Sequence, residues 1–215
     1  MALLMPSLLQ RYALPPEEIE LRSMRRVATL CRGALPSDPS EQAVALRMVY
    51  STGDPTLASL IKVSSGAARA GINALRTGAV VAVDVRMVDV GLDRRRLGIL
   101  RCPVHCALDH IPEDGSPEIP RTALGMGAMA NYLGGGVAVI GTAPTALLAL
   151  LDALDLGAPP PALIIATPPG FIAAPESKQE LALRSIPYIT VKGTHGGAAL
   201  AVAALNALLR QAVGQ

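Results

Sequence analysis

The stretch CPVHCALDH places Cys102, His105, Cys106, Asp109 and His110 within nine residues, the only segment dense in metal-ligand types. No second Cys/His cluster at structural-zinc spacing accompanies it, so it reads as a strand end running into a loop, and no metal site is expected. Two of the three histidines share this segment, His195 lies far from it, and there is no GxSxG, which argues against a Ser-His-Asp hydrolase. Four turns rich in Gly, Pro or Thr enter apolar, helix-like runs: STGDPTLASL, GTAPTALLALL, TPPGFIAAPESK and KGTHGGAALA. Such turns expose backbone N–H groups and can bind anions, although plain connectivity explains any one of them equally well. None matches GxxxxGK[ST], and no GxGxxG follows a strand. Arg47, Arg86, Arg121, Lys178 and Lys192 lie near the sheet edges on which such turns would converge. As a set they suit a substrate bearing several carboxylates, because guanidinium pairs bidentately with carboxylate.

The elements that must position these groups alternate. Pro15-Pro16 and the acidic pair Glu17-Glu18 open a helix through EEIELRSMRRVATL. Asp38 caps a second helix, with Pro39 in its first turn and Glu41 placed for a capping box, running to about Thr52-Gly53. GAARAGINALRTG is a helix closed by Gly78. After it, the apolar runs AVVAVD, GILRCPV, GVAVIG, ALIIAT and YITVK suit strands buried on both faces, separated by helical patterns. The expectation is an α/β domain over residues 1–215, with a five-stranded mainly parallel sheet and helices on both faces. Arg94-Arg95-Arg96 reads as a solvated loop. Ligands of such folds gather beyond the C-terminal strand ends, here Asp84–Gly91, Gly141–Thr145, Thr167–Ser177 and Lys192–Gly197.

Composition narrows the partners. A formal net charge of +2 is too small to argue for nucleic acid. The uncharged stretch 132–151 is interrupted by Gly134, Gly135, Gly136, Gly141 and Pro144, so it reads as strand, turn and helix rather than a membrane span. The apolar start lacks a basic region and a cleavage site, and an odd count of three cysteines gives no disulfide framework; a cytoplasmic protein is expected.

Six segments in order, RMVYSTGD, DVRMVDVGL, IPRTALGM, VIGTAPTALLALL, TPPGFIAAPESK and PYITVKGTHGGAALAVAALNAL, resemble the precorrin-8X (cobalt-precorrin-8) methylmutase family. The likeness runs from about Glu18 to Leu209. It implies an isomerase of cobalamin biosynthesis that moves a methyl group from C11 to C12 of the corrin macrocycle, giving hydrogenobyrinate or, with cobalt, cobyrinate. It implies no separate cofactor, a homodimer, and a corrinoid held in clefts at the subunit interface.

Within that resemblance, Ser23, Arg47 and Arg121 match substrate-contacting positions. Thr142 stands where asparagine is usual, and His195 where a basic residue is usual. Thr52, Arg86 and Lys192 complete the expected substrate-binding set. Tyr50 takes the catalytic position, but as a departure, since the family reads RM-[IV]-H there and uses the histidine as its acid–base group. A phenol at pKa ~10 is a weaker acid than an imidazolium at ~6.5, a driving-force difference of order 5 kcal/mol. Tyr50 could act as a poorer acid, His195 could supply the proton, or the protein could be a non-catalytic corrinoid carrier.

Overall fold

In a computed structural model, which describes residues 7–214, the chain forms a six-stranded sheet of order β1-β6-β5-β4-β2-β3. The strands are β1 (Ile61–Val63), β2 (Val81–Val83), β3 (Val104–Cys106), β4 (Val137–Ile140), β5 (Leu163–Ala166) and β6 (Tyr188–Val191). All neighbouring pairs are parallel except β1–β6, which is antiparallel. Ten α-helices accompany them among the described residues: α1 (Leu8–Tyr12), α2 (Pro16–Leu30), α3 (Pro39–Thr52), α4 (Ala67–Arg76), α5 (Arg86–Gly91), α6 (Arg94–Leu100), α7 (Arg121–Met129), α8 (Pro144–Asp155), α9 (Ala174–Ala182) and α10 (Ala198–Ala212).

Side chains alternate across a strand, so each strand supplies both layers. Val81, Val83, Val137, Val139, Leu163 and Ile165 join α3, α4 and α10 in one core. Ala82, Ala138, Ile140, Ile164 and Ala166 join α7, α8 and α9 in the other. With both faces covered, β4 and β5 are wholly buried and read as unbroken apolar runs.

The six strands correct the expected five. The extra one, β1, has three residues, too few to display a period, and it is held through an antiparallel partner more than a hundred residues away. GILRCPV is also corrected. Asp93 accepts a hydrogen bond from Arg96 N (3.0 Å) and so caps α6, which absorbs Gly98, Ile99 and Leu100; the strand begins only at Val104. Arg94-Arg95-Arg96 is therefore the first turn of a helix rather than a loop, with Arg94 paired to Asp89 and Arg96 to Asp93.

Asp38 does cap α3, accepting from Ser40 N (2.8 Å) and Glu41 N (3.0 Å), and Gly53 ends it in the left-handed region at φ 69°. Glu41 does not complete a capping box. Its carboxylate is buried and accepts instead from Gly66 N (2.9 Å), tying the start of α3 to the start of α4. No helix among the described residues is long and apolar enough to cross a membrane.

Candidate functional site

Two neighbouring parallel strands, β2 and β4, lead into helices on opposite faces of the sheet, α5 on one and α8 on the other. Such a switch point normally opens a crevice for ligands. Here the chain fills it. Asp84, fully buried at the end of β2, accepts from Gly141 N (3.1 Å), Thr142 N (2.8 Å) and Ala143 N (2.8 Å). Burial pushes its carboxyl up and the three backbone donors act in the opposite direction. The N–H groups of the GTAP turn are thus spent on an internal carboxylate, and that turn is connectivity, not an open anion nest. A Cβ on Gly141 would lie 2.8 Å from Ala198 Cα, so the start of α10 closes the crevice from above.

The expected site residues fall into two groups. One lies on the flank made by α2, α3, α6 and α10. Arg47 and Tyr50, one turn apart on α3, line a cavity of about 310 Å³ together with Arg96 of α6 and Asn206 and Arg210 of α10. Tyr50 is 39% exposed, so its ring is available to a ligand. Glu20 accepts from both Arg47 and Arg210, and Ser23 lies one turn further on the same face of α2, half-buried. Arg210, then Arg47, hold the Glu20 carboxyl well below its ordinary 4.5, at about 2.

Arg96, Asn206, Arg210 and Glu20 are not among the site residues expected from sequence. Asn206 and Arg210 at i, i+4 on α10 share a face, which is a readable signal, but only the packing of α10 on α3 brings them to Arg47.

The second group lies along the C-terminal edge of the sheet. Thr52 donates to Val49 O (3.0 Å) and accepts from Asp54 N (3.3 Å), finishing α3. Arg86 is paired with Asp109, and Thr142 is partly exposed beside Asp84. Lys192 and His195 are exposed on a loop that is stitched to the TPPG turn: Gly170 N donates to Thr194 O (3.0 Å) and Gly197 N to Thr167 O (2.6 Å). A Cβ on Gly196 would meet Thr167 O at 2.2 Å, so only glycine allows this approach. Arg121 opens α7, exposed and without a hydrogen bond or ion pair among the described residues. No described contact joins Arg121 to the Tyr50 cavity.

In the CPVHCALDH segment, His105 and His110 place their ring centroids 5.4 Å apart. Among the described residues no group of three or more His, Cys, Asp or Glu side chains could hold a metal. Cys102 and Cys106 are buried free thiols, pushed up by that burial. A larger cavity of about 820 Å³ beside α4 and β1 contains none of the expected site residues, and its acids are occupied: Asp38 caps α3 and Glu41 holds Gly66.

The Glu20 shift gives a testable consequence. A carboxyl lowered on folding contributes stability that is present above its unfolded value and lost as pH falls through the folded one. Glu20 is partly solvated, so the contribution is about 1 kcal/mol or less. Glu20→Gln is expected to be less stable than wild type by that amount above pH 4.5, with the difference closing between 4.5 and about 2. Urea denaturation at stepped pH checks this, and a gap that widens on acidification would contradict it.

These features define a mainly parallel α/β protein whose exposed flank gathers Arg47, Arg96 and Arg210 around a tyrosine. The profile of the family described as precorrin-8X methylmutase matches residues 18–211, and the chain belongs to that family. It is 41% identical over 175 residues to a precorrin-8X methylmutase of Pseudomonas aeruginosa, covering 78% of this chain and 82% of that one. It is 34% identical over 197 residues to a cobalt-precorrin-8 methylmutase of Priestia megaterium, covering 90% and 87% respectively. The solved precorrin-8X methylmutase from Thermus thermophilus superposes with a TM-score of 0.81 at 36% identity, covering 91% of this chain and 97% of that one.

Proposed function

We propose that this protein is the isomerase that moves a methyl group from C11 to C12 of precorrin-8X or cobalt-precorrin-8. The observation that carries the proposal is the cavity that sets Tyr50 among Arg47, Arg96 and Arg210 in a chain of this family. Glu20 pairs with Arg47 and Arg210, and Asp93 with Arg96, and a cluster of three guanidiniums suits a substrate rich in carboxylates. A substrate carboxylate would compete with Glu20 for Arg47 and Arg210, and the Tyr50 hydroxyl would face the macrocycle as a hydrogen-bond or proton donor.

A cavity of about 310 Å³ is too small to enclose a corrinoid. This favours a cleft shared by two subunits, in which Ser23, Arg47 and Tyr50 of one protomer would meet Arg121 of its partner. Thr52, Arg86, Thr142, Lys192 and His195 would bind peripheral groups of the substrate along the sheet edge, in a single methylmutase-like domain acting in the cytoplasm. The relatives named above carry methylmutase names, and nothing in them favours the carrier alternative.

Turnover tests the reading directly. Precorrin-8X incubated with the purified protein is expected to acquire the visible spectrum of hydrogenobyrinate. A spectrum that stays unchanged while the corrinoid remains bound would restore the carrier reading.

A further inference from the structure

On the sheet face opposite the Tyr50 flank, α9 leaves part of the β1–β6 edge uncovered, and a cavity of about 450 Å³ opens there. Lys62 of β1, Lys178 and Gln179 of α9, Tyr188 and Thr190 of β6, and Lys192 beyond β6 line it. No acidic side chain is among its lining residues. Lys178 is the unusual member, only 3% exposed. Its ammonium donates to His195 O (2.8 Å) and to no other described group. An ammonium carries three donors, so two remain without a protein acceptor. Burying a charge this way is costly unless something pairs with it. Burial accordingly lowers the amine from 10.5 to about 8.

We propose that this cavity is a binding site for a carboxylate-bearing anion, held by Lys62, Lys178 and Lys192. The anion is either a peripheral side chain of the macrocycle, in which case the inference rests on the function proposed above, or a free polycarboxylate. The site extends the role of Lys192 and adds two lysines to it. It also links the anion to the 192–197 loop, because the ammonium that would meet the anion also holds the His195 carbonyl.

The charged and titratable groups facing Lys178 are Lys62 from β1, Tyr188 from β6 and Lys192 just beyond it. On α9 itself, Glu180 is engaged by Arg184 and Glu176 lies exposed in the first turn. None supplies a negative charge within the cavity. The protonated Lys178 amine therefore strengthens anion binding, and affinity should fall as pH rises through about 8.

Isothermal titration at pH 7 with hydrogenobyrinate and, separately, with citrate tests this on wild type, Lys62→Gln and Lys178→Met. Circular dichroism checks the fold, and Lys62→Gln remains informative if Lys178→Met does not fold. Each variant is expected to weaken one of the two ligands at least tenfold, as loss of a charged hydrogen-bond partner does. The wild-type affinity should decline between pH 7 and 9, and Lys178→Met should flatten that decline. Weakened hydrogenobyrinate assigns the cavity to a substrate side chain, and weakened citrate alone assigns it to a free anion. If hydrogenobyrinate does not bind wild type while citrate binding depends on the lysines, the corrinoid reading falls and this site stands. If both affinities are unchanged in both variants, or neither ligand binds, the site is overturned.

Discussion

Replacing Tyr50 with histidine is expected to raise the single-turnover rate of methyl migration by at least tenfold while leaving hydrogenobyrinate affinity within about twofold. General acid catalysis contributes typically ~10²–10⁴-fold and acts on the transition state, so the gain should appear in the rate and not in product binding. The geometry permits the exchange. Tyr50 stands on the last turn of α3 with its ring partly exposed to a cavity, and an imidazole is smaller than a phenol, so no neighbour must move to admit it. Arg47, one turn earlier, is held by Glu20 and keeps its place in either variant. A rate that falls on Tyr50→His would show that this tyrosine is an adapted catalyst and that the surroundings of the cavity are tuned to a phenol.

The largest loss of stability from a single polar substitution is expected at Asp84. Asp84→Ala would strand the N–H groups of Gly141, Thr142 and Ala143 at the point where β2 and β4 part, with α10 closing the space above them. A buried donor left without a partner costs about 1–3 kcal/mol, and with three involved the total should be of order 3–5 kcal/mol. For a domain of this size that corresponds to a fall of roughly 10 °C or more in the melting temperature. Asp84→Asn should fall between the two, since its amide keeps an acceptor oxygen but brings donors toward donors. Differential scanning calorimetry measures both, and a melting temperature within about 2 °C of wild type for Asp84→Ala would mean that water replaces the carboxylate.

Much of this architecture is legible in the sequence because it is written locally. Asp38 with Pro39, Gly53 and Gly78 mark helix ends through interactions spanning a few residues, and these ends lie where expected. Four of the five expected strands also agree in position, since GVAVIG, ALIIAT and AVVAVD are short apolar runs and YITVK is bounded by Pro187 and Lys192. GILRCPV misled because an apolar run carries no period of its own, and the cap at Asp93 settles it as helix up to Leu100. β1 was invisible because its support is Ile189 to Val191, which no local pattern reveals.

The site shows the same division. Arg47 and Tyr50 stand out within one short segment. Glu20 and Arg210, separated by 190 residues, matter only because α2, α3 and α10 converge. Asp84 was legible as the end of a strand, but its function as the plug of the switch point depends on a turn 57 residues further on.

The two rims of the sheet have a consequence for how the protein behaves at high concentration. An uncovered strand edge is a template on which another chain can add by backbone pairing, the first step of ordered aggregation. Here the rims are β1 and β3, three residues each. The middle residue of β1 is Lys62 and that of β3 is the exposed His105. So short a template offers few pairing groups, and a lysine at its centre would set like charges against one another if two copies of β1 met edge to edge. A chain as rich in Ala, Val, Leu and Ile as this one can thus hold a sheet apolar on both faces without exposing a long edge on which further copies could stack.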